Sequence, residues 1–272
     1  MQSKKHWEIS CVAEKTRPHR SYKHYTLLDR AIKLLETQTL YLSDGSNWND
    51  RLDARRFNAP NDPNKRFGMS FSWLSSENVA MWMLYGGISS PGALIDFPSH
   101  FPKIIQSSVY KIEFGRFDTG VFKPVEEHSL EEGVSLGFVD VAYTAQTFSE
   151  RFENPEDTIG LKIRHGTPFK MPTEYLHTDE YSLYCVKSAP WFYETEARLV
   201  VTVPKSLLSH EVEVARICVP NLPELLEGRL YLSPEVTLNE IHDHRFKESR
   251  LAGELSWDLC GGCPGAAMIR RK

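Results

Sequence analysis

Glu194, Glu196 and Arg198 stand at alternate positions in the segment Phe192 to Val203. On a β-strand, side chains two apart point the same way, so these three form a charged row on one face. Tyr193, Ala197, Leu199, Val201 and Val203 form the apolar face opposite. A strand this apolar on one side is expected to be central, and charges on a central strand must be paired or must line a cavity. The row therefore has two readings. It is either a satisfied structural ion network or a functional carboxylate in a cleft, where a fixed negative charge can act on a reacting group.

Other clusters carry weaker signals. Tyr22-Lys23-His24-Tyr25-Thr26 leads into a helix and Tyr41-Leu42-Ser43 follows it, so two short strands bring aromatic and polar side chains together. Such residues are either structural or able to stack on and hydrogen-bond a planar ligand. In Asn47-Trp48-Asn49-Asp50 the Asn and Asp side chains are expected to close a loop on their own backbone. Met81 to Tyr85 supplies core side chains, with Tyr85 at the helix end as the pocket candidate. Cys260 and Cys263 have CxxC spacing, and His242-Asp243-His244 lies upstream. The histidines of an HxH pair on a helix point apart and the order is inverted relative to common fingers, so no metal is expected. Walker, GxGxxG, HExxH and GxSxG motifs are absent, which removes the commonest nucleotide, protease and esterase readings.

The elements that must position these residues follow from periodicity. Thr26 and Asp29 precede apolar residues at three- and four-residue spacing, which predicts a capped amphipathic helix through Leu35, then a strand over Leu40 to Ser43. Asp44 to Lys65, rich in Asn, Asp, Arg and Pro, reads as a long polar loop. Phe67 to Trp73 alternates strictly as a strand, and Ser76 is expected to cap a helix over Glu77 to Tyr85. Gly92 to Phe97 and Val109 to Phe114 read as strands that could pair antiparallel. Residues 115 to 133 read as a charged connection, followed by a strand over Val134 to Tyr143. A helix near Thr178 to Val186 precedes the strand from Phe192, which Trp191 is expected to anchor in the core. Further strands fit Arg216 to Val219 and Arg229 to Leu232, and a helix fits Val236 to Phe246. The fold class is α+β, a mixed and largely antiparallel sheet with flanking helices. The expected organisation is a basic arm over residues 1–20, one α+β domain over 21–250 and a tail over 251–272.

The chain has 272 residues, 41% hydrophobic and 25% charged, a balance that needs a packed interior. Its net charge of −4 gives no global case for duplex nucleic acid or anionic lipid. The first 23 residues carry a local net +4, read as a solvated arm or a phosphate-contacting one. The absence of a long apolar run or secretory h-region predicts no membrane association and a cytoplasmic protein. Five cysteines in a chain this long fit reduced thiols.

One pattern joins several of these segments: His24-Tyr25 and its helix, Leu40 to Ser43 running into Asn49-Asp50, Met81-Trp82 with Tyr85 and Gly92, and Lys187 followed by Trp191, Glu194, Glu196 and Arg198. Spread over residues 22 to 233, it resembles the mainly bacterial family called domain of unknown function 2971 (DUF2971). The W-x-x-E-x-E-x-R block is its most specific part. That family's architecture is similar to ADP-ribosyltransferases, and the resemblance implies an ADP-ribosyltransferase-like fold with NAD as substrate and no metal. Glu196 and Glu194 would be catalytic, Glu196 bonding the ribose 2′-hydroxyl and Glu194 orienting the acceptor. His24 would hold the adenosine side, Tyr41 or Tyr85 would stack on nicotinamide, and Tyr25, Ser43 and Arg198 would complete the binding set. Cleaving the nicotinamide bond develops oxocarbenium character that a fixed carboxylate stabilises. The acceptor would be a protein or nucleic acid, in the manner of a toxin or anti-phage (antiviral) defence effector. The alternative is a non-enzymatic sensor or interaction module with a partner protein in a defence or toxin system.

Overall fold

Strand formation in this chain follows the alternation of apolar side chains, but two of the strand boundaries are set by single residues at positive φ. A computed structural model describes residues 7–9, 21–74, 78–86, 91–144, 186–226, 229–233, 255–259 and 267–271. In chain order the elements run β1 (Trp7–Ile9), β2 (Tyr22–Leu27), α1 (Leu28–Thr37), β3 (Thr39–Ser43), α2 (Arg51–Phe57), β4 (Asn64–Ser72), α3 (Val79–Tyr85) and β5 (Gly92–Phe97). They continue with α4 (Phe101–Ser108), β6 (Lys111–Asp118), β7 (Val121–Ser129), β8 (Ser135–Asp140), β9 (Ala142–Thr144), β10 (Val186–Ser188) and β11 (Glu196–Pro204). The last are β12 (Val214–Cys218), α5 (Leu222–Leu225), β13 (Leu230–Leu232), β14 (Leu255–Leu259) and β15 (Ala267–Arg271). This is an α+β protein whose strand pairing is largely antiparallel.

The chain forms two compact units, one of residues 1–18, 41–70 and 110–217, the other of 19–40, 71–109 and 218–272. In the first, strands follow the order β1, β8, β11, β4, β3, β12, β6, β7. β1 joins β8 in parallel, while β11 lies antiparallel to β8 with Leu199 opposite Phe138. β9 and β10 form a separate parallel pair. Every residue of β11 from Glu196 to Val203 is buried, as expected of a central strand. Leu136, Phe138, Leu199 and Val201 supply core on this side, and Phe67 packs on Phe114 at 5.4 Å between ring centroids.

In the second unit the order is β14, β15, β13, β5, β2, with antiparallel pairing throughout. Helix α1 buries Leu28, Ala31, Ile32, Leu34 and Leu35, the spacing of one helical face. Phe71 gathers Tyr22, Phe97 and Phe101 around it, with centroids 5.3–6.4 Å away. No helix among the described residues is long and apolar enough to cross a membrane.

Several local expectations change. The stretch from Asp44 to Lys65 is not all loop: it holds α2, because the Asp50 carboxylate accepts the Asp53 N–H at 3.1 Å and Phe57 buries completely. Residues 115–133 are no simple connection, since β6 and β7 make a hairpin turned by Thr119 and Gly120, both at positive φ. Its bulge at Phe114/Gly115 requires glycine: a Cβ there would lie 2.1 Å from the Lys123 carbonyl oxygen. Helix α1 is capped by Leu27 without a side-chain bond, and Thr26 stays in β2. Helix α3 takes Asn78 as its cap, the Asn side chain accepting from the Ala80 and Met81 N–H groups. Strand β5 pairs with β2 and β13, whereas β6 pairs with β7 and β12, so the expected antiparallel pair is not formed. Ser76, most of the helix expected near 178–186, the one near 236–246, and the Cys260/Cys263 pair with its histidines lie outside the described residues; Val186 opens β10.

Candidate functional site: a buried five-charge network

The largest correction concerns the strand expected from Phe192. Ala189–Glu194 is a 3-10 helix and the strand begins only at Glu196, because Thr195 between them adopts the left-handed region at φ +42°. Trp191 therefore lies in the 3-10 turn, half-buried, and is not the anchor of a strand. Glu194 reaches the same place as Glu196 from a different element.

Four elements converge there, all within the first unit. Strand β11 contributes Glu196 and Arg198, fixed by the Val141 N–H to Glu196 carbonyl bond of 2.9 Å and by Arg198 lying opposite Val139. Strand β10 contributes Lys187, the 3-10 helix Glu194, and α2 Asp53. Relative exposures are 0% for Arg198, 1% for Asp53, 2% for Glu194 and Glu196, and 6% for Lys187. Charges this deep survive only when paired and hydrogen-bonded.

The pairing is dense. Arg198 Nε donates to Glu196 Oε1 at 2.6 Å and Nη2 to Glu196 Oε2 at 3.1 Å. On its other edge Nη1 donates to Asp53 Oδ1 at 3.0 Å and Nη2 to Asp53 Oδ2. One guanidinium thus bridges two carboxylates with forked geometry, a use to which lysine is not suited. Lys187 Nζ lies 2.5 Å from Glu194 Oε2, 2.8 Å from Glu196 Oε2 and 3.6 Å from Asp53 Oδ2. The Ser70 hydroxyl, on neighbouring strand β4, donates to Glu196 Oε1.

Aromatic rings close the site. The Trp48 ring centroid is 4.7 Å from the Arg198 guanidinium carbon and the Phe57 centroid 5.9 Å, while Lys187 Nζ sits 5.4 Å from the Trp191 ring. Trp48 is itself held by its indole N–H donating to Ser43 Oγ at 2.9 Å. Gly68 leaves room for these rings, since a Cβ there would meet Phe57 Cζ at 2.9 Å and Trp48 at 3.3 Å. Gly68→Ala is accordingly expected to lower stability by about 1–3 kcal/mol, read as a lower urea midpoint with unchanged m-value.

Electrostatics keep the charges on. Burial alone would raise the Glu196 carboxyl, but the Arg198 guanidinium and the Lys187 ammonium outweigh it and hold that carboxyl well below the usual carboxylate range. Burial would lower Lys187, yet the Glu196 carboxylate, helped by Glu194 and Asp53 and opposed by Arg198, leaves it raised. Arg198, likewise opposed by burial, is raised by Asp53 and Glu196. With Glu196 ionised it is no proton donor. It can accept hydrogen bonds and stabilise positive charge. Among the described residues, no group of three or more His, Cys, Asp or Glu side chains could hold a metal ion.

Of the candidate residues, Glu194, Glu196 and Arg198 come together, and Ser43 supports their aromatic cover through Trp48. Tyr41, half-buried, packs with Phe117 and Phe122 at centroid distances of 5.3 and 5.7 Å. His24, Tyr25 and Tyr85 belong to the second unit. There His24 lies against the Phe71 ring at 5.8 Å, and the buried Tyr25 hydroxyl accepts the Asn78 N–H at 3.1 Å. Tyr85 is half-buried at the end of α3.

Sequence reading named Lys187 only within the family pattern, not as a site residue, and missed Asp53 and Ser70. A signal for Asp53 existed: it lies four residues before the buried Phe57 and three after the capping Asp50, the spacing of a buried helical face. Ser70 had only its place beside Gly68 and Ser72 on the polar face of β4. No family profile, curated protein or solved structure matches this chain.

Proposed function

We infer that the chain works as a non-enzymatic sensor or interaction module, with Glu194, Glu196 and Arg198 as structural members of its first unit. The observation that carries this reading is that each of the three is buried and bound by oppositely charged neighbours. A carboxylate whose oxygens already accept from Arg198, Lys187 and Ser70 has its hydrogen-bonding capacity occupied before any ligand arrives. The setting proposed for this module is a partner protein in a defence or toxin system.

One observation favours a second reading, NAD-dependent ADP-ribosyl transfer to a macromolecule. Ser70 is exposed while its hydroxyl donates to Glu196. A ribose 2′-hydroxyl could take that donor position, leaving Glu196 to face the oxocarbenium-like charge and Glu194 to orient the acceptor. In that reading the protein is a toxin or anti-phage effector.

Nicotinamide release and transfer of labelled ADP-ribose into lysate protein and nucleic acid separate the two. The module reading expects neither product from the wild type and no thermal shift with millimolar NAD. Label transfer by the wild type that Glu196→Gln abolishes, in a variant that remains folded, would replace it with the transferase.

A further inference from the structure

Thr195 is the one residue of the charged block whose backbone carries a steric penalty. Four non-glycine described residues have positive φ: Gln38, Thr119, Thr195 and Asn221. Gln38 ends a helix and Thr119 turns a hairpin, places where the left-handed region is ordinary, and Asn221, at the start of a helix, is of a residue type that tolerates it. Thr195 is β-branched, 3% exposed, and lies between a 3-10 helix and a central strand. The left-handed region there places Cβ too close to the following carbonyl oxygen, and such a conformation persists only where its surroundings impose it.

What imposes it is visible on both sides. After Thr195, Glu196 is fixed in the sheet by its carbonyl bond to Val141 and by Arg198. Before it, Glu194 ends the 3-10 helix and is bound by Lys187, seven residues upstream on β10. Lys187 also holds Glu196 and lies over the ring of Trp191. One ammonium thus ties the start of this loop to both of its end carboxylates, across the strained residue.

We propose that residues 187–196 form a loaded strap, in which the Lys187 bridge to Glu194 and Glu196 holds Thr195 left-handed against its own preference. Release of the bridge returns Thr195 to extended backbone and turns the 3-10 segment, with Trp191 and Tyr193, away from the network. The inference goes beyond the functional reading above, since the strain and the bridge are the same whether Glu196 is structural or catalytic.

Hydrogen exchange of the full chain, followed by mass spectrometry, tests it, with the β6–β7 hairpin as internal reference. Lys187→Met is expected to speed exchange across residues 191–196 about tenfold relative to that hairpin. Thr195→Gly removes the steric load, so Lys187→Met/Thr195→Gly is expected to recover about threefold of that protection. Unchanged exchange in Lys187→Met, or no recovery on adding glycine, overturns the proposal. Should Lys187→Met fail to fold, Glu194→Gln weakens one arm of the bridge and leaves Lys187 on Glu196 and Asp53. The same acceleration and the same glycine recovery are then required, and their absence is equally decisive.

Discussion

Arg198→Leu is expected to lower the free energy of unfolding by about 3–5 kcal/mol. The guanidinium is fully buried and provides forked hydrogen bonds to both Glu196 and Asp53. Its removal leaves two carboxylates buried with Lys187, which sits 2.8 Å from one and 3.6 Å from the other, as their remaining cation among the contacts described. Urea denaturation at pH 7 measures the loss as a drop in midpoint. A companion variant checks the mechanism. Adding Glu196→Leu to Arg198→Leu removes one of the stranded carboxylates, so the double variant is expected to be less destabilised than the sum of the two single ones. Strict additivity would show that the two side chains do not share one network.

Glu196→Gln is expected to weaken the protein at neutral pH by a similar amount, about 3–5 kcal/mol, and also to change the shape of its acid unfolding. The amide keeps the volume but replaces an acceptor oxygen with an NH₂ group. That group would face the donors of Arg198 and Lys187. The pH dependence follows from the depressed carboxyl. Because Glu196 has a lower pKa folded than unfolded, its contribution is fully present above the unfolded value of about 4.3. It is lost as pH falls through the lower folded value. Between pH 5 and pH 2 the wild-type urea midpoint should therefore fall more steeply than that of Glu196→Gln, and the two curves should converge toward the acid end. Parallel curves would mean that Glu196 does not carry this linkage. Because both predictions concern stability alone, they hold for either functional reading.

The sequence by itself determined several strands of this protein and, within them, which side chains share a face. The buried run of β11, the alternation of β4 and the apolar β5 follow from side chains repeating at the strand period, and α1 from its helical repeat. The hairpin of β6 and β7 was also written locally, in Thr119-Gly120, but charged side chains on its exposed faces hid it behind the pattern of a connection. Glu194, Glu196 and Arg198 were legible as chemistry because charges so close to an apolar run must find partners. Only the tertiary structure decided which partners. Asp53 is 145 residues from Arg198 and Ser70 is 126 from Glu196, and each arrives on an element packed from elsewhere in the first unit. Periodicity tells which way a side chain points and nothing about what faces it, because strand order and helix docking minimise the free energy of the whole chain. Thr195 marks the same limit within three residues. Local propensity favours extended backbone there, and the gain from binding both glutamates to one buried lysine outweighs it.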